Sequence, residues 1–206
     1  MKKEVWVLGG GGHAKVAVAT LQSAGWTVAG IYDDDLSKQG CQVLSTEIVG
    51  ATPTLDWWQT EPRAAFVAIG ENSVRERVSG LPADWVVAQH EAASVHPSVS
   101  VGGGTLICAG VVIQPDARIG RHVIANTSCS IDHDCVVEDF AHVAPGVTLA
   151  GNVHIGECAF VGAGSTILPG VKIGAAAIIG AGSVVLRDVE PGAKVVGVPA
   201  RKLVND

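Results

Sequence analysis

Residues 131–136 read Ile-Asp-His-Asp-Cys-Val, with His133 between Asp132 and Asp134. An imidazole with an unperturbed pKa of about 6.5 can accept a proton from an attacking nucleophile, and a carboxylate beside it can fix its tautomer and stabilise the imidazolium. The chemistry on offer is that of a general base. Neighbours along a strand point to opposite faces, so either aspartate reaches the ring only if a turn brings it there.

A second chemical stretch is VWVLGGGGHAKV at residues 5–16, where four glycines separate an apolar strand from a helix-like run. Backbone N–H groups in such a loop, aided by the helix N-terminus, can cradle phosphate. Gly9, Gly11 and Ala14 satisfy G-x-G-x-x-A, and Asp33, Asp34 and Asp35 follow at about the 20-residue separation of a dinucleotide fingerprint. Fewer than 95 residues precede the repeat described below, room for one mononucleotide-binding half but not two. No hydride-transfer domain follows, so the expected ligand is a phosphate-bearing molecule other than a nicotinamide dinucleotide.

The remaining reactive residues offer less. His90, His96, His122 and His154 read as surface or packing residues. The cysteines at 41, 108, 129, 135 and 158 form no CxxC pair and leave an odd count, which argues against a secreted disulfide framework or a zinc knuckle and suits reduced thiols in a cytoplasm. Cys129 and Cys135 share one hexad position and are expected to pack inward, so an acyl-cysteine mechanism is not favoured.

The elements that must position these residues follow two different patterns. All five tryptophans precede residue 94, and that half alternates short apolar runs (EVWVLG, TVAGIYDDD, AAFVAIG) with helical ones (HAKVAVATLQSAG, NSVRERVSGL). This is the rhythm of a small Rossmann-like parallel α/β sheet, assigned to residues 1–94. From Val95 to Val185, stepping by six meets Val, Ile or Leu at fifteen of sixteen positions, Ala125 being the exception. A helix needs a period of 3.6, whereas strict hexads with small turn residues read as a parallel β-helix, assigned to 95–190 with a tail at 191–206.

The hexads and the closing GVPARK resemble those of the left-handed β-helix acyltransferases, whose triangular coil takes eighteen residues. With GGGGHAK, DDD, FVAIGENSVRERV and NTSCSIDHDCVVEDFAHVAPGVTLAGNVHIG, nearly the whole chain resembles the bacterial nucleotide-aminosugar N-acetyltransferases and the related sialic acid O-acetyltransferases. The resemblance implies an acetyl-CoA-dependent transfer to the amine, at C4, of a UDP- or GDP-linked amino-dideoxy sugar. An O-acetyltransferase of a sialic-acid-like hydroxyl and a non-catalytic scaffold are the alternatives.

The same resemblance implies His133 as base, Asp134 as its partner, Asn126 near the acceptor and His142 against acetyl-CoA. Gly11, Gly12, His13, Asp33 and Asp34 would hold the nucleotide sugar, with Gly70, Glu71 and Asn72 nearby. An eighteen-residue coil stacks Gly151 on His133, where a bare N–H can hold the developing oxyanion. Ala163 and Ala181 suit a pantetheine arm, and Arg201 and Lys202 the CoA phosphates. No metal is expected, and a homotrimer with the active site between neighbours is implied.

The net charge of −6 without a basic block argues against nucleic acid or an anionic membrane surface as a partner. No apolar run approaches the roughly 20 residues of a membrane span, and the start, MKKEVWVLGGGG, has too short an apolar run for a signal peptide.

Overall fold

The computed structural model describes residues 3–203. The first domain comprises β1 (Glu4–Leu8), α1 (Gly12–Ser23), β2 (Thr27–Tyr32), β3 (Gln42–Val43), β4 (Thr46–Gly50), α2 (Leu55–Gln59), β5 (Ala64–Val67), α3 (Asn72–Val78) and β6 (Asp84–Trp85). The sheet order is β3-β4-β2-β1-β5-β6, parallel except for the β3/β4 pair. Chain connections run to opposite sides of β1, so the switch point lies between β1 and β5, where α/β sheets open a crevice at their carboxyl ends. Alternation along β1 sends Val5 and Val7 into the core shared with α1, and Leu8 into a second cluster with Trp58, Ala65 and Val67.

The second domain is a parallel β-helix built from two-residue strands. Leu106 pairs with Ile124, Ile124 with His142, His142 with Phe160 and Phe160 with Ile178, so one coil takes eighteen residues. Fourteen of the sixteen hexad positions, from Ile107 to Val185, are buried, while Val95 and Val101 at the open first coil are half-buried. The three faces are sheets of eight, six and five strands. The coil is longer than 95–190 at both ends. Ala88–Gln89 already pairs with Leu106–Ile107, and Lys194–Gly197 of the tail pairs with Ile178–Ile179 before turning into an antiparallel hairpin with Ala200–Lys202.

Each corner turns through a left-handed residue, repeated every eighteen positions. Asp116, Asp134 and Asn152 occupy the corner between the six- and five-stranded faces; His122, Phe140 and Cys158 occupy the one between the five- and eight-stranded faces. Helix α1 packs on the first strands of the eight-stranded face. The outward residues of that face record where the cover ends: Leu106 and Ile124 are buried, whereas Ile178 is exposed. His142 lies near that boundary.

Candidate active site

The crevice at the carboxyl ends of β1, β2, β4 and β5 has a volume of about 460 Å³ and is lined by Gly11, Gly12, His13, Asp33, Asp34, Gly70 and Glu71 among others. Helix α1 begins with Gly11 as its N-cap, with no side-chain cap and no acidic residue in its first turn. Its first N–H groups and positive dipole end are therefore left for an anion. Gly9 adopts φ +100°, and a Cβ there would lie 2.6 Å from Ile69, so the loop can pass this close to β5 only as glycine.

The two aspartates that the sequence groups together have different jobs. Asp33 accepts hydrogen bonds from the N–H groups of Gly10 (2.7 Å) and Asp35 (2.9 Å) and from Lys38 Nζ (3.0 and 3.1 Å). Burial pulls its pKa upward, but these donors outweigh burial and hold it below the ordinary value. Asp33 thus shapes the glycine loop. Among the described residues Asp34 accepts only the Thr52 N–H, through Oδ1 (3.0 Å), and it lines the crevice.

Asn72 does not line the crevice. Its Nδ2 donates to the carbonyls of Cys158 (2.8 Å) and Ala159 (3.2 Å) in the β-helix, a correction to its expected binding role. The sequence reading also missed Tyr32, Lys38, Thr52, Val74 and Arg77, all of which line the crevice. The available signals were the strand ends after β2 and β4, and the 74/77/78 spacing on α3. Arg77 makes no hydrogen bond or ion pair through its side chain among the described residues.

His133 lies at the six/five corner, exposed to solvent. Asp134 adopts φ 59°, and this left-handed turn swings its carboxylate back so that Oδ2 meets His133 Nδ1 at 2.8 Å. Asp132 instead accepts the backbone N–H of His133 (2.8 Å), so its hydrogen bond goes to the turn and only its charge reaches the ring. The hydrogen bond that His133 donates to Asp134 raises the His133 pKa above its ordinary value. With the proton on Nδ1 facing the carboxylate, Nε2 is the free basic nitrogen. It lies over Gly151, where a Cβ would be 2.6 Å from both Cε1 and Nε2.

His142 is buried and Asn126 half-buried beside it, with Asn126 Nδ2 3.1 Å from His142 Nε2. The amide can only donate there, so the ring proton sits on Nδ1, which finds no acceptor. Burial first, then the charge of Arg75, pushes the His142 pKa down to about 4. His13 lies 6.3 Å away, ring to ring, with its Nε2 buried and unpartnered and its pKa lowered by burial and then by Arg75. Burial thus favours the neutral form of two imidazoles that lie close together where the domains meet.

One chain does not bring all these residues together. Asn126 begins the corner between the eight- and six-stranded faces, whereas His133 occupies the next corner, with the strand Ser130–Ile131 between them. Ala163 and Ala181 lie exposed on the eight/six corner, on the same side as Asn126. Arg201 and Lys202 extend the eight-stranded face and line a cavity of about 380 Å³ at the end of the coil. Four strand steps, about 19 Å, separate them from His142, a span suited to an extended pantetheine arm.

Other reactive residues are accounted for structurally. Cys108, Cys129 and Cys135 are buried, and burial pushes the Cys129 thiol up to about 12. His122 stacks on Phe140, and His154 hydrogen-bonds Glu138 at 2.8 Å. Among the described residues no helix is long and apolar enough to cross a membrane.

A Rossmann-like crevice joined to a hexad β-helix, with a histidine–aspartate pair on one corner, defines a hexapeptide acyltransferase. Residues 4–80 match the PglD N-terminal domain and 152–187 the bacterial transferase hexapeptide repeats. The chain is 31% identical over 167 residues to GDP-perosamine N-acetyltransferase of Escherichia coli O157:H7, covering 75% of this chain and 73% of that one. It also matches uncharacterized protein L142 of Acanthamoeba polyphaga mimivirus, spanning only 23% of that protein's length.

Among solved structures, PerB of Caulobacter crescentus in complex with CoA and GDP-perosamine superposes with a TM-score of 0.91 at 40% identity, covering 98% of this chain and 97% of that one. The acetyltransferase domain of PglB from Neisseria gonorrhoeae in complex with acetyl coenzyme A gives 0.89 at 33%, covering 98% and 100%. The chain belongs to the PglD-like hexapeptide acetyltransferases.

Proposed function

We propose that this chain transfers the acetyl group of acetyl-CoA to the C4 amine of a nucleotide-linked amino-dideoxy sugar. The observation that carries the reading is the His133–Asp134 pair, with free Nε2 above a glycine that leaves room for reactants. The amine nitrogen attacks the thioester carbon while His133 Nε2 takes its proton. Asp134 stabilises the imidazolium, and the Gly151 N–H, which donates to no backbone acceptor, holds the oxyanion. The intermediate then expels the CoA thiolate, which recovers the proton from His133. The glycine loop, His13 and Asp34 hold the sugar nucleotide; the names of the Escherichia and Caulobacter relatives favour GDP over UDP as its carrier.

In this reading the active centre forms between copies in a homotrimer, His133 of one chain meeting Asn126, His142 and the crevice of its neighbour. The separation of these groups on one chain supports that arrangement. Acetyl-CoA with a panel of UDP- and GDP-linked 4-aminosugars, followed by thiol release and product mass, tests the reaction; turnover retained by His133→Ala refutes the mechanism. Refolding a mixture of inactive His133→Ala and inactive His142→Ala chains should restore activity, and a mixture that stays inactive refutes the shared site.

A further inference from the structure

We infer that Asn72 and Arg75, one turn apart on α3, form a clasp that holds the crevice in place on the β-helix and so positions the two substrates for transfer. The inference deepens the acetyl-transfer reading and rests on it.

The left-handed residues His122, Phe140 and Cys158 mark one corner on three successive coils. Their carbonyls receive no bond from the coil backbone and face α3 instead. Arg75 Nε donates to the His122 carbonyl at 2.7 Å and Nη2 to the Phe140 carbonyl at 2.6 Å, while Asn72 Nδ2 donates to the Cys158 carbonyl at 2.8 Å. Successive rungs lie about 4.8 Å apart, so the guanidinium and carboxamide together read three of them.

The other guanidinium hydrogens are also used. Nη1 donates to the carbonyls of Ile69 and Gly70, each at 3.1 Å, and Nη2 to Asn72 Oδ1 at 2.9 Å. All five donors therefore meet an acceptor, on a side chain that is 1% exposed and hydrogen-bonds no carboxylate. A buried cation without a counter-ion is costly, and an apolar side chain of similar size would pack the same gap without that penalty. Its gain is placement: five donors in a rigid fork fix two domains at once.

What the clasp joins is the reaction path. Ile69 and Gly70 line the crevice, and Gly70 packs against His13. Phe140 lies two residues before His142. The corner repeats at Ala176, so a shift of α3 by one rung would meet similar carbonyls but carry the crevice about 4.8 Å along the coil, away from His142; the contacts with Ile69 and Gly70 tie the clasp to the crevice side. Burial, and after it the Arg75 charge, lowers the pKa of both His13 and His142.

Arg75→Met and Asn72→Ala test this. For Arg75→Met, kcat should fall about 100-fold while calorimetric Kd values for GDP and for CoA stay within about threefold, since each site's own contacts remain. Hydrogen exchange at residues 69–78 should accelerate with the coil core unchanged. Unchanged turnover, or binding lost in proportion to turnover, overturns the clasp. If Arg75→Met does not fold, Asn72→Ala decides, with about a tenfold loss of kcat expected at near-normal Tm and an unchanged kcat overturning the inference. A wild-type chain that acetylates no amino sugar refutes the functional reading instead; exchange then judges the clasp, and unaltered exchange in Asn72→Ala overturns it.

Discussion

Gly151→Ala separates the chemistry of this site from its stability. The added Cβ would stand 2.6 Å from Cε1 and Nε2 of His133, against the 3.4–4 Å of ordinary contact, so the ring must retreat by about 1 Å. Gly151 has no left-handed φ, and alanine there costs no backbone strain. The ring it displaces is exposed and held only by its hydrogen bond to Asp134, so folding loses little and reduced freedom of the unfolded chain adds about 0.4–1 kcal/mol. Catalysis is less tolerant: a misplacement of about 1 Å costs about 100-fold in kcat, or about 3 kcal/mol of transition-state stabilisation. Steady-state acetyl transfer and thermal melting on the same preparation give the two numbers. A kcat within about threefold of wild type would refute the placement of His133 over Gly151, as would a lowered Tm.

Asp134→Asn replaces the carboxylate that raises the His133 pKa with a neutral amide, so the acid limb of kcat/KM should move to lower pH and the plateau should fall tenfold or more, about 1.4 kcal/mol. An unmoved acid limb would show that another group titrates. Burial and nearby positive charge hold His122 and His142 at about 4 in the fold, against about 6.5 unfolded, so the unfolded chain binds more protons between those values and stability falls as pH drops from 6.5 to 4. Each contributes about 3 kcal/mol to that loss; His122→Phe should flatten denaturant-measured stability across the window, and a slope equal to wild type would contradict it. Arg77→Ala should weaken GDP binding about tenfold and leave CoA binding alone, because it removes an unpartnered cation from the crevice. Equal GDP affinity by calorimetry would place Arg77 off the nucleotide.

The architecture was readable because both patterns are local. Period six needs no long-range information, and the fourteen buried hexad residues from Ile107 to Val185 are those the stepping selects. The ends of the coil were less legible. Gln89 continues the six-residue phase but is polar, and the tail strand Lys194–Gly197 pairs without keeping the phase at all. The clasp was hidden for a different reason. Asn72 and Arg75 sit among polar residues on a short helix, and arginine is mostly exposed. Only the long-range placement of α3 on the five/eight corner buries it.

Spacing within the coil, however, already sorts the catalytic candidates. Gly151 follows His133 by eighteen residues, one full turn, and the two stack. Asn126 and His142 differ by sixteen, close to one turn, and hydrogen-bond on adjacent rungs. His133 follows Asn126 by seven, one hexad and a residue, which moves it one corner around the triangle. The base and the acceptor-side groups therefore cannot face each other within a chain without breaking the hexad phase, and that phase runs unbroken from Val95 to Val185. The periodicity that makes the fold legible thus supports the proposed reading in which a second copy completes the site.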